Sequence, residues 1–523
     1  MKKFISTVSI IVLIVSLVCC FFACSNGENV INVSISEGKV VQTVEGFGSS
    51  SAWWSQVVGG DGNKENIAKM LYSEEGLNLN IYRYNIGAGS VDIKDKDTYG
   101  EKERMTESFL MGEKYTGNTH DELLAFVSNE DNYDFSKDKN AQLMLEECYS
   151  YGTIDNLILF ANSPHYLMTI NGLCRGTDGD DDIDNLAEEN FDIFAKYLMV
   201  ILKYFKVTKG YNVTYLSPIN EPQWDWSTDK QEGCHYEPAT MAKCLDVVNK
   251  ELKIFNSENG TNVKLDVFES GNWNTKKTGN ISRITAYLDE MKKYDYFEEV
   301  EHISFHSYSS PGSKKVREKF MKETKDYDIQ VSISEYCQMS GGTNLEDFKA
   351  AQFLMCVMSY DFSVLKTDGW TWWISVSNYD YEDGLLYTNW YADELDSVKV
   401  SPRYYAMMHY SKFVKPGDKY VAVKADKKTC LSIIERNKTV YENSDAKMKC
   451  ADDMYNVFKR DDGTVVIVYN NVTDSDYTWN IKDSFSNYEA YVSKDGNYLT
   501  KSQGEFSGSI KFDANSITTI ILK

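Results

Sequence analysis

Leu157-Ile158-Leu159-Phe160, Val213-Thr214-Tyr215-Leu216 and Leu265-Asp266-Val267-Phe268 are three short apolar runs separated by long helical stretches, and their reading decides the fold. Between the first two, Phe191, Phe194, Ala195, Leu198, Ile201, Leu202 and Phe205 recur at intervals that line one face of a helix. Between the second and third, Met241, Leu245, Val248 and Leu252 do the same. Buried strands alternating with amphipathic helices imply parallel pairing, because parallel neighbours need a crossover. Working outward, further strands are expected at Ile303 to Tyr308, Ile329 to Ile333 and Trp370 to Ile374, and before them at Phe47 to Trp53 and Leu77 to Tyr84. Eight strands alternating with helices favour an α/β fold closed as a (β/α)8 TIM barrel over residues 46–415, rather than an open sheet.

Past Lys415-Pro416-Gly417 the helical spacing stops. Short alternating runs take over at Tyr420 to Val423, Leu431 to Ile434, Tyr455 to Phe458, Val465 to Tyr469, Tyr477 to Ile481 and Ile517 to Leu522. These imply a β-sandwich over residues 416–523. Residues 30–45 alternate in the same way (Val33, Ile35, Val40) and are expected to pair with it, making that side domain discontinuous. Residues 1–24 read as an export address: Met1-Lys2-Lys3 is positive, Phe4 to Phe22 is nearly all apolar, and Ala23-Cys24 follows. The chain is therefore expected to be secreted or extracellular. Cys24 after Ala23 also fits a cell-surface lipoprotein, although Phe21 stands where a good lipobox has Leu. No later segment resembles a transmembrane helix, so membrane contact is expected only through an N-terminal lipid or uncleaved signal anchor.

With 42% hydrophobic and 25% charged residues in 523, the chain can bury a large core in more than one domain. A net charge of −23 without a basic stretch argues against nucleic acid and fits a neutral substrate. The aromatic share of 13% suits either core packing or flat faces for sugars. Of the 11 cysteines, Cys19, Cys20 and Cys24 lie in the leader; the rest are scattered with no C-x-x-C pair, which excludes a metal knuckle or redox motif. Export would permit a disulfide among them. The six histidines include no H-E-x-x-H, and His302 and His306 have no evident third ligand, so no metal and no cofactor is expected.

In such a barrel the reacting groups stand at the C-terminal ends of strands. The fourth strand ends Ser217-Pro218-Ile219-Asn220-Glu221-Pro222-Gln223-Trp224-Asp225-Trp226. Pro222 steers Glu221 away from the helical region, so an extended Glu221 is expected to point into the barrel mouth. The bland alternative is a surface Glu in a turn. The seventh strand, Gln330-Val331-Ser332-Ile333-Ser334-Glu335-Tyr336, ends on Glu335, a charge costly to bury without a role or a partner. Strands four and seven face each other across a barrel. Two carboxylates about 5–5.5 Å apart are the arrangement of a retaining glycosidase: one attacks the anomeric carbon, the other protonates the leaving oxygen and later deprotonates water. Burial and the second charge should raise the acid's pKa.

At these residues the chain resembles glycoside hydrolase family 30, from about Val44 to Lys415 and in outline through the sandwich. The resemblance implies Glu221 as acid/base, Glu335 as nucleophile and Asn220 as partner to the sugar 2-hydroxyl. Gly46-Phe47-Gly48-Ser49-Ser50-Ser51-Ala52-Trp53-Trp54 is similar to the family's first-strand signature and brings Trp54 to the substrate side. Tyr82-Arg83-Tyr84 is similar to the second, where Arg83 bridges active-site carboxylates, and Phe160-Ala161-Asn162-Ser163-Pro164 places Asn162 at the third. His306-Ser307-Tyr308 implies His306 in the site and Tyr308 bonded to the nucleophile; Trp370-Thr371-Trp372-Trp373 implies Trp373 under the −1 sugar. A structural ion pair for Arg83, and core packing for Tyr308 and the tryptophans, are the alternatives. Glu269, ending strand five, is a third carboxylate, better read as a structural partner to a nearby cation. The run 220–226 followed by Gln231-Glu232-Gly233-Cys234-His235-Tyr236, with Trp224 beyond Glu221, resembles the endo-β-1,6-galactanase branch, which implies β-1,6-galactan side chains of arabinogalactan as polysaccharide or oligosaccharide substrate. His165-Tyr166 departs from that branch, which is expected to carry a more aromatic or proline-bearing pair. Other family specificities (β-1,6-glucanase, xylanase, β-fucosidase, glucosylceramidase-like) and a non-catalytic carbohydrate-binding surface protein are the rivals. The acidic insertion Val91 to Asn140 follows the second strand on the active-site face, placed to wall the cleft.

Overall fold

The computed structural model describes residues 29–93, 102–176, 184–227, 231–273, 283–308, 310–379, 381–390, 397–426, 431, 433–444 and 446–523. The leader over residues 1–24, with Cys24, lies outside the described residues, and among those described no helix is long and apolar enough to cross a membrane.

Gly46–Ser50, Ile81–Ile86, Asn156–Ala161, Val213–Ser217, Lys264–Leu265, Ile303–His306, Val331–Glu335 and Gly369–Trp372 form one eight-stranded sheet. Its strands follow chain order, with the first paired in parallel to the eighth. The circle closes between the fifth and sixth strands, where Ser304 N–H donates to Val267 O at 3.1 Å and His306 N–H to Ser270 O at 2.8 Å. This is the expected (β/α)8 barrel. Its strands are buried on both faces, as parallel strands under a ring of helices must be. Helix Phe191–Lys203 buries the stripe read from the sequence, including Phe194, Leu198 and Leu202. Helix Pro238–Asn259 starts on a proline and ends at Gly260 with φ +62°, a left-handed cap that glycine adopts without cost.

Three strand expectations are corrected. The fifth strand keeps sheet geometry only over Lys264–Leu265, because Phe268 and Glu269 take φ of +82° and +42° and turn the chain out of the extended region. The run Trp370 to Ile374 divides at Trp373: Gly369–Trp372 stays in the barrel, and Ile374–Ser377 pairs with Gly384–Tyr387 in a separate small sheet. Residues Ile433–Asn437 form a short helix where a strand from Leu431 to Ile434 was expected. Four residues of alternation are too few to specify a strand, and Ile434 is exposed.

The second large sheet has nine strands, in the order Asn497–Glu505, Asn487–Lys494, Ser516–Leu522, Val465–Asn471, Tyr455–Lys459, Lys419–Asp426, Asn29–Thr43, Tyr477–Ile481 and Ser509–Phe512. Asn29–Thr43 runs antiparallel to Lys419–Asp426 and parallel to Tyr477–Ile481, so the N-terminal segment is built into the C-terminal sheet. Strand alternation sorts the side chains. Val465, Ile467, Tyr469, Ile520 and Leu522 fill the sheet's own core with Trp479 and Phe512. Val466, Val468, Ile517 and Ile521 face the other way and join the barrel core. The seven described cysteines outside the leader are buried and are not in disulfides.

Candidate active site

Glu335 ends the seventh strand, and Glu221 lies four residues beyond the fourth. Glu221 is not extended: its φ is +44°, the left-handed side, which also avoids the right-handed helical region that Pro222 disfavours. That conformation is held by the backbone, with Glu221 N–H donating to Glu269 O at 3.0 Å and its carbonyl accepting Trp226 Nε1–H at 3.1 Å. Left-handed non-glycine residues concentrate at functional sites, and Glu269 is another. Gly271 admits this arrangement, since a methyl group there would fall against the Glu221 carboxylate and lie 2.6 Å from Trp224 Nε1.

Five ionisable side chains, Arg83, His306, Glu221, Glu269 and Glu335, meet below the mouth. Arg83, fully buried on the second strand, donates from Nη1 to Glu335 Oε2 at 3.1 Å and from Nη2 to Asn220 Oδ1 at 3.0 Å, with Glu269 Oε1 3.1 Å away. Its guanidinium lies 3.5 Å from the centroid of the Phe160 ring. His306 Nδ1 sits 2.9 Å from Glu221 Oε1, and its Nε2 3.1 Å from Glu269 Oε2. Tyr308 donates its hydroxyl to Glu335 Oε1 at 2.9 Å. Glu269 also accepts from Ser217 Oγ at 2.8 Å and from Ser334 Oγ.

Burial alone would neutralise these groups, so the pairing decides their charge. Burial works to lower the His306 pKa, but Glu335, Glu221 and Glu269 carry it up to about 10. Burial raises the Glu269 carboxyl, yet Arg83, His306 and Ser334 overcome this and hold it well below the usual carboxylate range. Glu335 stands above its ordinary value: burial raises it and Glu221 adds to the rise, against the pull of His306, Arg83 and Tyr308. The result is an ionised Glu269 and a doubly donating imidazolium.

A donor atom from each of Glu221, His306 and Glu335 lies within 4.8 Å of the other two, so the two carboxylates oppose each other across a short gap. A metal there would need an imidazole lone pair, whereas both His306 nitrogens carry protons donated to carboxylates. Above the gap is a cavity of about 240 Å3 lined by Asn220, Glu221, Trp224, Tyr308, Glu335 and Trp373, all expected from the sequence, and by Trp226, Gln231, Gly271 and Met339, which were not. A larger hollow of about 600 Å3 beside Ser310, Tyr360 and Lys447 has Glu442 as the one carboxylate among its described lining residues, so size does not locate the chemistry.

Two expected residues stand elsewhere. Trp54 is wholly enclosed, its indole donating to Ser50 O at 2.8 Å, because the chain turns from strand into helix at Trp54–Val58. Trp53, its neighbour, packs edge-on against Trp373 at 5.3 Å. Asn162 is buried behind the cavity and donates to Asn85 Oδ1 at 3.2 Å. The insertion after the second strand reaches the rim: Arg104 lies 4.9 Å from the Trp53 ring and 3.5 Å from Gln231 Oε1.

Comparison with known proteins agrees with this arrangement. The model of O-glycosyl hydrolase family 30 matches residues 30–387. The endo-β-1,6-galactanase of Hypocrea rufa is 24% identical over 396 residues, covering 72% of this chain and 73% of that protein. An exo-β-1,6-galactobiohydrolase of Bifidobacterium longum subsp. longum is 24% identical over 295 residues, 48% of this chain but 17% of that longer protein. Among solved structures, a conserved exported protein from Bacteroides fragilis superposes with a TM-score of 0.75 at 22% identity, covering 94% of this chain and all of the other. With the family model spanning most of the chain, barrel and opposed carboxylates included, this protein belongs to glycoside hydrolase family 30.

Proposed function

We propose that the protein is an exported retaining endo-β-1,6-galactanase with Glu335 as nucleophile and Glu221 as acid/base. The observation that carries the mechanism is the close opposition of Glu221 and Glu335, within 4.8 Å at their nearest donor atoms. An inverting enzyme needs about 6.5–9.5 Å between its carboxyl groups to admit a water. His306 donates to Glu221 Oε1, leaving Oε2 to carry the transferable proton. Glu335 attacks the anomeric carbon while Glu221 protonates the departing oxygen, giving a glycosyl ester. Glu221 then takes a proton from water, whose oxygen displaces Glu335.

The charges balance at each stage of this assignment. With the proton on Glu221, Arg83 and imidazolium His306 balance Glu269 and Glu335. In the ester, Glu335 is neutral and Glu221 has become the carboxylate, so the balance returns without His306 changing state. A buried site that keeps constant net charge avoids a desolvation penalty between steps.

Trp373, Trp224 and Trp226 offer aromatic faces at the cavity, suited to sugar C–H surfaces. Two relatives named for β-1,6-galactan activity support the linkage, and the insertion bearing Arg104 would wall the cleft beyond the reacting sugar. Export rests on the leader over residues 1–24 and on the likeness to an exported protein, with lipid attachment at Cys24 as the variant form. The test is hydrolysis of de-arabinosylated arabinogalactan by wild type, Glu335→Gln and Glu221→Gln, with products sized. Short β-1,6-galactooligosaccharides from wild type alone are expected. Glu335-dependent release from β-1,6-glucan or xylan instead would overturn the substrate, and no turnover of any glycan would favour a carbohydrate-binding protein.

A further inference from the structure

At the opposite end of the barrel, three residues that each immediately precede a strand converge: Glu45 before the first, His302 before the sixth and Asp368 before the eighth. Their donor atoms lie within 4.8 Å of one another. His302 is 4% exposed, and its Nδ1 makes no hydrogen bond although Asp368 Oδ2 is 3.5 Å away and Glu45 Oε2 3.9 Å away. Asp368 Oδ1 is likewise buried without a partner. An imidazole nitrogen 3.5 and 3.9 Å from two carboxylate oxygens, hydrogen-bonded to neither, is spaced from them as one ligand of a shared cation would be.

The surroundings support ligation. Asp266 Oδ1 lies 3.6 Å from His302 Nε2 and accepts Ser304 Oγ–H at 2.5 Å, the outer carboxylate that orients metal-bound histidines. The Tyr215 ring packs at a tilt against the His302 ring, centroids 4.9 Å apart, and its hydroxyl donates to Glu45 Oε1 at 2.8 Å, leaving Oε2 towards the gap. Glu45 N–H donates to Asp368 O at 2.8 Å, which fixes the two backbones together. Lys264, whose Nζ lies 6.0 Å from the Tyr215 ring centroid, pairs with Glu301. A tetrahedral metal with bonds of about 2.0–2.1 Å needs its donors about 3.3 Å apart, so closure asks only for modest movement, chiefly of the half-buried Glu45.

We propose that Glu45, His302 and Asp368 bind a divalent transition-metal cation of the zinc type, with water completing its shell, as a structural clasp on the barrel floor. One imidazole with two carboxylates favours such an ion over calcium or magnesium, which take all-oxygen shells. Conserved function at this face of a barrel concerns stability rather than catalysis; the clasp would tie the first, sixth and eighth strands at their starts. It does not rest on the glycosidase reading.

The experiment uses the full chain, stripped with chelator and dialysed, titrated with Zn2+ alone. Calorimetry and metal analysis should show one ion per chain and a rise in melting temperature. Asp368→Asn and His302→Gln should bind at least about tenfold more weakly and lose that rise, whereas Glu335→Gln at the other mouth should bind Zn2+ as tightly as wild type. X-ray absorption of the wild-type zinc complex should report one imidazole among oxygen donors, a readout independent of whether the variants fold. No stoichiometric ion, an all-oxygen shell, or undiminished binding in both variants would overturn the proposal and leave His302 as a protonated imidazole held among three carboxylates.

Discussion

Replacing Glu269 by Gln tests the charge network with little change of shape. Glu269 is wholly buried and touches no surface of the cavity, so it acts through Arg83 and His306 as a positioning residue. Its carboxylate lies 3.1 Å from Arg83 Nη2, where the attraction at an effective dielectric of about 20 is ~5 kcal/mol. Part of that is offset by desolvation already incurred, and breaking one side of a buried pair costs about 3–5 kcal/mol. Glu269→Gln should therefore lose about 3–5 kcal/mol in urea denaturation at pH 7, with an unchanged m-value. The sign of the pH dependence follows from a folded pKa depressed below the unfolded one of about 4.3. That stabilisation is complete above pH ~4.3 and lost as pH falls through the folded value, so the gap between variant and wild type should be constant from pH 7 to about 5 and narrow below. Displacing Arg83 and His306 should also lower kcat/KM by about 100-fold. A variant with the wild-type urea midpoint and wild-type kcat/KM at pH 7 would refute the network.

Gly271→Ala should cut kcat at least tenfold with a near-normal melting temperature, because the methyl group meets Glu221 and Trp224 rather than the core; initial rates and calorimetry check both halves. Tyr308→Phe removes a donor that stabilises ionised Glu335, so the acidic limb of the kcat/KM profile should move up by about one pH unit. Asp138, whose carboxyl is raised to about 8 chiefly by burial, binds its proton more tightly folded than unfolded. Wild-type stability should therefore fall by up to ~1.4 kcal/mol per unit as pH rises between about 4 and 8. Asp138→Asn, which suits the residue's φ of +48°, should lack that component of the slope in urea titrations at pH 5 and 7.5.

The barrel was legible because parallel strands buried on both faces read as continuous apolar runs, and the helices between them carry a clear stripe. The carboxylates were legible from position, each just past such a run. Backbone reversals were not. The positive φ at Glu221, Phe268 and Glu269 depends on hydrogen bonds between loops that are distant in sequence. Of the adjacent Trp53 and Trp54, the strand-to-helix turn buries the one expected to face substrate. Glu269 could be suspected as a strand-end carboxylate, but its partners come from the second, fourth, sixth and seventh strands and appear only once the barrel closes. Met339 and Gln231 line the cavity from loops with no periodicity to mark them. The floor cluster escaped for the same reason: His302 has no ligand near it in sequence, and Glu45 and Asp368 reach it only through closure.

The stereochemistry of the first product tests the paired carboxylates most directly. Proton NMR during early hydrolysis of a β-1,6-galactooligosaccharide by wild type, read before mutarotation, reports the anomer released. Two displacements by carboxylates as close as Glu221 and Glu335 predict that the β-anomer appears first and the α-anomer grows in only as the sugar equilibrates. An α-anomer appearing first would mean a single displacement by water, and would contradict the assignment of Glu335 as nucleophile.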